Sequence, residues 1–355
     1  MNELTLVLPF ALPPPELAAD LLRALQAPAL AALLSRTASQ GYTDFDNGTR
    51  VLPHEAWLAH ALGLGAAPQE AGAGAPFAAS AMRGYGLAPS EGHWFLVHPV
   101  HVQISRNHLL MGDARLLGID EADSRALFDA ARPYFDDIGK PLLYGDARTW
   151  FVRADDWAGL RTASPDAAAG QNLTAWMPEG DGAPASRKLQ NDIQMLWHAH
   201  PVNQAREARG QPVVNAFWLW GGAAAPTRPD QAAAPLFIAD SPAWLAALAG
   251  PARRSSGADP ATNAAAILGG PDAAALVLLG ALVQDGLGGD WSSWLMRLQR
   301  LEQEWFAPLL AALKEGRLGR LTLVLNHRDA WAEFSSTKNA QRKFWRKPTL
   351  HGLIR

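Results

Sequence analysis

The stretch HPVNQAREARGQPVVNAFWLWGG, His200 to Gly222, places a histidine, two asparagines and two arginines just before an aromatic strand that stops at two glycines. A guanidinium makes paired hydrogen bonds to planar anions. Asn203 and Arg206 could therefore hold a phosphate or carboxylate near a domain junction. The same residues also read as structure, with a His-Pro-Val-Asn turn closing a helix and Asn203 satisfying backbone groups as its cap. Both readings stay open. Asn215 needs a hydrogen-bond partner in so apolar a strand. Trp218 and Trp220 are two apart and share one strand face, where core packing accounts for them.

Other candidates are weaker. His98 and His101 stand three apart across Pro99, so a regular strand turns them to opposite faces and makes them a poor metal pair. His198 and His200 flank a helix end and are no better placed. Arg83, Arg106 and Arg115 could line a cleft, although no spacing argues for it. No glycine-rich phosphate loop follows a strand; GAGAPF at 72–77 has loop composition. The segment 336–355 carries Lys338, Arg342, Lys343, Arg346, Lys347 and Arg355 without an acid, and Phe344 and Trp345 sit among them. Interleaved cations and aromatics suit nucleic acid or an acidic partner. The competing reading is a solvated helix whose aromatics pack onto the body.

These residues need elements to position them. The chain has 355 residues, 48% of them hydrophobic, enough for two domains or one with an insertion. Its formal charge is −3, which gives no global basic field. It has no cysteine, which excludes disulfides, thiolate metal sites and a thiol nucleophile. Nothing approaches the ~20 uninterrupted apolar residues of a membrane span, and MNELTLVLPF lacks the basic start of a secretory signal; a cytoplasmic protein without membrane association is expected. Apolar runs at 3–10, 213–220, 234–240, 274–285 and 320–327 alternate with helices, which argues a mostly parallel sheet. Between them, 93–104 and 141–155 read as strands around a helix capped by Asp120, a β-β-α-β-β pattern. Asp290 opens a further helix with Trp291, Leu295, Leu298, Leu301, Trp305 and Leu309 on one stripe.

Residues 176–222 resemble the archaeal-type, cofactor-independent phosphoglycerate mutases of the alkaline-phosphatase superfamily. The resemblance rests on His200, Pro201, Val202, Asn203, Arg206, Gly210, Asn215, Trp218, Trp220 and Gly221 in order. It extends weakly to MRGYGLAPSEGHWFLVHPVHV, LVQDGLGGDW and LTLVLNHRDAW, and comes nearest to a bacterial, degenerate branch described as RpfE-type regulatory proteins. The resemblance implies an alkaline-phosphatase-like α/β core at 1–85 and 187–335. It also implies an inserted α+β domain at 86–186 and a basic tail at 336–355. It makes His200, Asn203, Arg206, Asn215 and Arg83 the candidate ligand residues.

In that family two divalent ions clamp a phosphate and activate a serine. Here no carboxylate occurs between Glu3 and Glu16, where the first strand should end in an acidic pair. His54 stands near the nucleophile's place. Asp285, Asn326 and His327 are the surviving relics of the metal set. Two dications so poorly compensated would repel. The expectation is a non-catalytic regulatory or ligand-sensing protein, without cofactor, that binds a small anion or a protein partner. One alternative is a mutase or phosphoesterase that holds Mn or Mg through unusual ligands. Another is an interaction module for protein or nucleic acid, acting through Arg342, Lys343, Trp345, Arg346 and Lys347.

Overall fold

A computed structural model describes residues 1–46, 49–65, 74–89, 91–105, 108–225, 235–250 and 263–354. Among them twelve strands run in chain order as β1 (Glu3–Leu8), β2 (Ser39–Asp44), β3 (His93–Val100), β4 (Val102–Ser105), β5 (His108–Met111), β6 (Leu142–Asp146), β7 (Thr149–Arg153), β8 (Ala216–Ala224), β9 (Leu236–Ala239), β10 (Ala274–Leu279), β11 (Arg320–Asn326) and β12 (Ala330–Thr337). The chain divides into two units. One comprises Met1–Asp46, Ala232–Ser241 and Ala252–Arg355, and the other Asn47–Gln231 with Pro242–Pro251. These limits differ from the expected insertion at 86–186, because helix Pro53–Ala61 and β8 both fall in the second unit.

The first unit is built on a six-stranded sheet of order β2-β12-β11-β1-β10-β9. β11, β1, β10 and the edge strand β9 are parallel, and the first three are apolar runs buried for most of their length. β12 returns antiparallel on β11, and the polar β2 closes that edge. Neither β2 nor β12 was expected from the sequence. The sheet is flanked by helices, so the fold is mixed α/β with a mostly parallel central sheet. Helix Trp291–Leu301 buries Trp294, Leu298 and Leu301, then passes through a π turn, Glu302–Phe306, into helix Ala307–Glu315. Pro308 lacks the N–H that regular helix would need there, which accounts for the widened turn.

The second unit carries a four-stranded sheet of order β6-β7-β3-β8, antiparallel throughout. The segment 213–220, expected in the parallel sheet, instead supplies β8 beside β3. Phe95, Val97, Phe217 and Leu219 on one sheet face meet Leu127, Ala131, Ile193 and Trp197 from helices Glu121–Asp137 and Ala183–His198. Asp120 caps the first of these through the Asp123 amide, as its position implied. No described helix is long and apolar enough to cross a membrane.

The paired glycines at the end of WLWGG have a geometric cause. Leu96 lies opposite Trp220 but Trp94 lies opposite Ala223, so β8 carries one extra residue. Gly221 takes φ +69° there, and a Cβ would come within 2.9 Å of the Leu96 side chain. A Cβ on Gly222 would come within 2.5 Å of Phe95.

One buried carboxylate ties the helical layer of the first unit together. Glu302, inside the π turn, accepts the Ala29 amide at 2.6 Å and the Leu30 amide at 3.0 Å, and so caps helix Pro28–Ser35 from across the sequence. Replacing Glu302 by Ala orphans two buried amides and should lower unfolding free energy by about 1–3 kcal/mol, with Glu302→Gln losing less. Urea denaturation of both variants measures this, and an Ala variant as stable as the parent would show the cap to be dispensable.

Candidate functional site

In a parallel sheet the carboxyl ends of the strands are where ligands and metals gather. In the first unit that edge presents Phe10 after β1, Asp285 after β10, and Asn326 with His327 after β11. Phe10 is buried with φ +59°, a conformation rare for a residue with a Cβ. Its carbonyl accepts the Trp294 indole N–H at 2.7 Å. Its ring stands edge-on to the His327 imidazole, 6.4 Å between centroids. A Cβ at Gly286 would fall 2.6 Å from the Phe10 ring, so the ring packs directly against the residue after Asp285.

Of the relics of the expected metal set, Asp285 and His327 face charged groups of the protein and Asn326 is engaged through its amide nitrogen alone. Asp285 is buried, and its Oδ2 lies 2.7 Å from Arg297 Nε. Burial holds its carboxyl above the usual range, although Arg297 opposes the shift. His327 Nδ1 faces Asp329 at 3.1 Å. Asn326 is fully buried and donates to the His327 carbonyl at 2.8 Å, while its Oδ1 has no hydrogen-bond partner among the described residues. No group of three His, Asp or Glu among the described residues stands close enough to hold a metal ion. These donors do not fit a two-ion Mn or Mg site: one carboxylate already faces a guanidinium, and Asn326 adds no charge.

In the second unit the residues considered for an anion are hydrogen-bonded to the protein's own backbone. Asn203 is buried and donates to the Trp197 carbonyl at 2.9 Å and the Val214 carbonyl at 2.7 Å, while accepting the Val214 amide at 2.8 Å. Arg206, 1% exposed, donates to the carbonyls of Pro212 at 2.9 Å, Leu117 at 2.5 Å and Gly118 at 3.3 Å, and faces Asp123. Asn215 mimics a strand, exchanging both hydrogen bonds with the Val102 backbone at 2.8 and 2.7 Å. Each group solves the problem of carbonyls and amides left over at element ends. Asn203 thus satisfies a carbonyl at the end of helix Ala183–His198, as the structural reading expected, while the same His-Pro-Val-Asn segment also starts helix Pro201–Ala208, whose N-cap His200 accepts the Val202 amide through Nδ1 at 3.2 Å. Burial lowers the His200 pKa. Arg83 donates to Ser80 Oγ at 3.0 Å. Arg106 lies outside the described residues.

His98 Nδ1 meets the Arg148 carbonyl at 2.6 Å and His101 Nδ1 the Val213 carbonyl at 2.8 Å, so the two rings serve different segments. Trp218 and Trp220 do share a face. The Trp218 indole donates to the Ala163 carbonyl at 2.7 Å, and Trp220 stands edge-on to Trp244 at 4.8 Å.

A buried polar cluster in this unit was not foreseen. Arg115 binds Asp166 through both terminal nitrogens, at 2.9 and 2.5 Å, and Asp113 at 2.9 Å. His54 and Glu55, in the first turn of helix Pro53–Ala61, lie within this field at 3% and 2% exposure. Glu55 Oε2 accepts the Leu52 amide at 2.7 Å. Burial, then the neighbouring Asp166, pushes the Glu55 carboxyl up to about 8. Burial holds the His54 imidazole down to about 4, with Asp166 partly offsetting the shift and Arg115 adding to it. Both are therefore neutral near pH 7. Ser164 caps helix Pro165–Ala168 by accepting the Ala167 amide at 3.1 Å and is fully buried. His54, which stands near the nucleophile's place in the resemblance, is thus buried inside this cluster of the second unit. The cluster joins residues some 50 to 110 positions apart, and the only local signal was Glu55 three residues after Leu52.

No family model matches the chain. Over 133 residues, 37% of its length, it is 28% identical to a probable 2,3-bisphosphoglycerate-independent phosphoglycerate mutase of Geobacter sulfurreducens; the match spans 33% of that relative, about a third of its length. Among solved structures, the PH0037 protein from Pyrococcus horikoshii is similar at a TM-score of 0.57 and 13% identity, covering 99% of this chain and 91% of that one. A cofactor-independent phosphoglycerate mutase from Thermoplasma acidophilum gives a TM-score of 0.49 at 16% identity, covering 99% and 94%. The sequence match relates 133 residues of the chain to a phosphoglycerate mutase, and the likeness to the Pyrococcus protein shows a fold shared with that protein over nearly the whole length.

The Glu55 cluster predicts how stability changes with pH. Between the ordinary glutamate value, ~4.3, and about 8, the folded state keeps a proton that the unfolded chain releases, so Glu55 makes stability fall as pH rises. His54 acts in the opposite sense between about 4 and ~6.5, where only the unfolded chain is protonated. The two nearly cancel in that range. From about pH 6.5 to 8 only Glu55 contributes, and stability should fall by about 1 kcal/mol per pH unit. Glu55→Gln should flatten that slope in urea titrations; an unchanged slope would show that Glu55 ionises normally.

Proposed function

We propose that this chain is a non-catalytic, regulatory phosphoglycerate-mutase-like protein, of the kind implied by its resemblance to RpfE-type proteins. The observation that carries the reading is the Phe10 ring at the carboxyl edge of the parallel sheet. It follows β1, where the inherited reaction needs acids, and packs between His327 and the residue after Asp285. The pairing of Asp285 with Arg297 supports the same reading. So does the sequestering of His54, Glu55 and Ser164 from solvent. Since Asn203, Arg206 and Asn215 are spent on backbone groups, regulation through a partner is favoured over sensing of a small anion.

The test is direct. Full-length protein incubated with Mn or Mg, then desalted, should retain less than one ion per chain by mass spectrometry. It should neither interconvert 2- and 3-phosphoglycerate nor hydrolyse simple phosphate esters. Two ions retained per chain, or turnover above a metal-free control, would establish the enzyme reading instead.

A further inference from the structure

The C-terminal segment differs from the packed helix considered for it. Only two short turns of it are helical, an α-helical one at Lys338–Gln341 and a 3-10 one at His351–Leu353. Beyond the first the chain runs along the end of helix Pro28–Ser35, where the Ser35 hydroxyl donates to the Thr349 carbonyl at 3.1 Å and Arg36 Nε donates to the Arg346 carbonyl at 3.3 Å. Lys343 is tied down, with Nζ 2.8 Å from the Thr37 carbonyl. Phe344 and Trp345 are not packed onto the body. They are 82% and 67% exposed and lean on each other edge-to-face at 5.3 Å. Arg342, Arg346 and Lys347 beside them are exposed as well. Arg355 lies outside the described residues.

Immediately after Lys347 the same segment becomes one wall of a groove of about 580 Å³. Leu350 and Ile354 line that wall, and Ala19, Leu22, Leu25 and Ala31 line the other. The groove, the exposed aromatic pair and the exposed cations thus follow one another along a single stretch of chain in the first unit.

We propose that this face docks an acidic amphipathic helix of a partner protein, with its apolar side in the groove and its carboxylates against Arg342, Arg346 and Lys347. Apolar side chains at helical spacing fit a concave aliphatic groove, and exposed tryptophan and arginine are the residues most often dominant at protein interfaces. A nucleic acid would stack on the aromatics but has no aliphatic group to fill the groove. A bilayer surface cannot enter a concavity. A second copy of this chain would set like charges against each other. The inference names a partner class for the regulatory reading and takes its biological meaning from it, but its test does not depend on that reading. Turnover in the mutase assay would overturn the non-catalytic reading and leave docking standing, and failure of docking would do the reverse.

The probe is a fluorescein-labelled synthetic helix with leucines at i, i+3, i+4 and i+7 and Glu or Asp elsewhere, titrated with the full chain by anisotropy. Micromolar binding is expected, weakening with added salt, with a blue shift in tryptophan emission that is lost in Trp345→Ala. Ala19→Trp, which fills the groove, and the double variant Phe344→Ala/Trp345→Ala should each weaken binding at least ~10-fold. A scrambled peptide of equal charge should bind as poorly as those variants. Equal binding of the scrambled peptide, or variants that bind like the parent, would overturn the proposal. So would displacement of the peptide by an oligothymidylate or by phosphatidylserine vesicles.

Discussion

Two divalent ions held a few ångström apart repel each other, and a protein can hold them only by surrounding them with anionic oxygen. At the carboxyl edge of the parallel sheet this chain offers Asp285, Asn326 and His327 and puts a phenylalanine among them. Phe10 is held there, despite a positive φ, by a hydrogen bond from Trp294 to its carbonyl and by a glycine at 286 that leaves room for its ring. One apolar ring thus stands among three polar side chains at this edge. Asp285 then needs another cation, and Arg297 supplies it.

In the second unit, side chains that could serve a ligand are used to complete the backbone. Arg206 gathers three carbonyls from two segments. Asn203 closes the space between the end of one helix and the approach to β8, and Asn215 extends β8 toward β4 with a side chain. A buried guanidinium in such a place is satisfied by several carbonyls at once, which makes it costly to release for an incoming anion. The polar residues around the aromatic strand are thus the fittings of an α+β unit, and WLWGG ends in glycine because β8 bulges against β3.

Much of the fold was legible. Continuous apolar runs marked β1, β9, β10 and β11, and capping aspartates marked two helices where the structure has them. What escaped has physical reasons. β2 is polar and exposed because it is an edge strand held by backbone pairing with β12, so no pattern of burial announces it. β8 is apolar on both faces, as a parallel strand would be, because its sheet is covered on both sides by the unit's own helices and loops. That signal could not say which sheet it joins. The Glu55–Asp166–Arg115 cluster is assembled from distant segments, and no spacing rule brings them together. At the candidate site the shortage of acids after β1 could be read directly. That Phe10 packs beside His327 and Gly286 could not, because it depends on a positive φ that sequence rules discourage for phenylalanine.

The central claim is that the sheet edge cannot assemble a binuclear centre, and crystals grown with Mn and inorganic phosphate test it most directly. Anomalous scattering at the Mn edge should show no pair of ions beside Phe10, Asp285 and His327, with the Phe10 ring in place and Asp285 still facing Arg297. Two peaks a few ångström apart at that edge, with Phe10 displaced and Asp285 and His327 as ligands, would contradict the account.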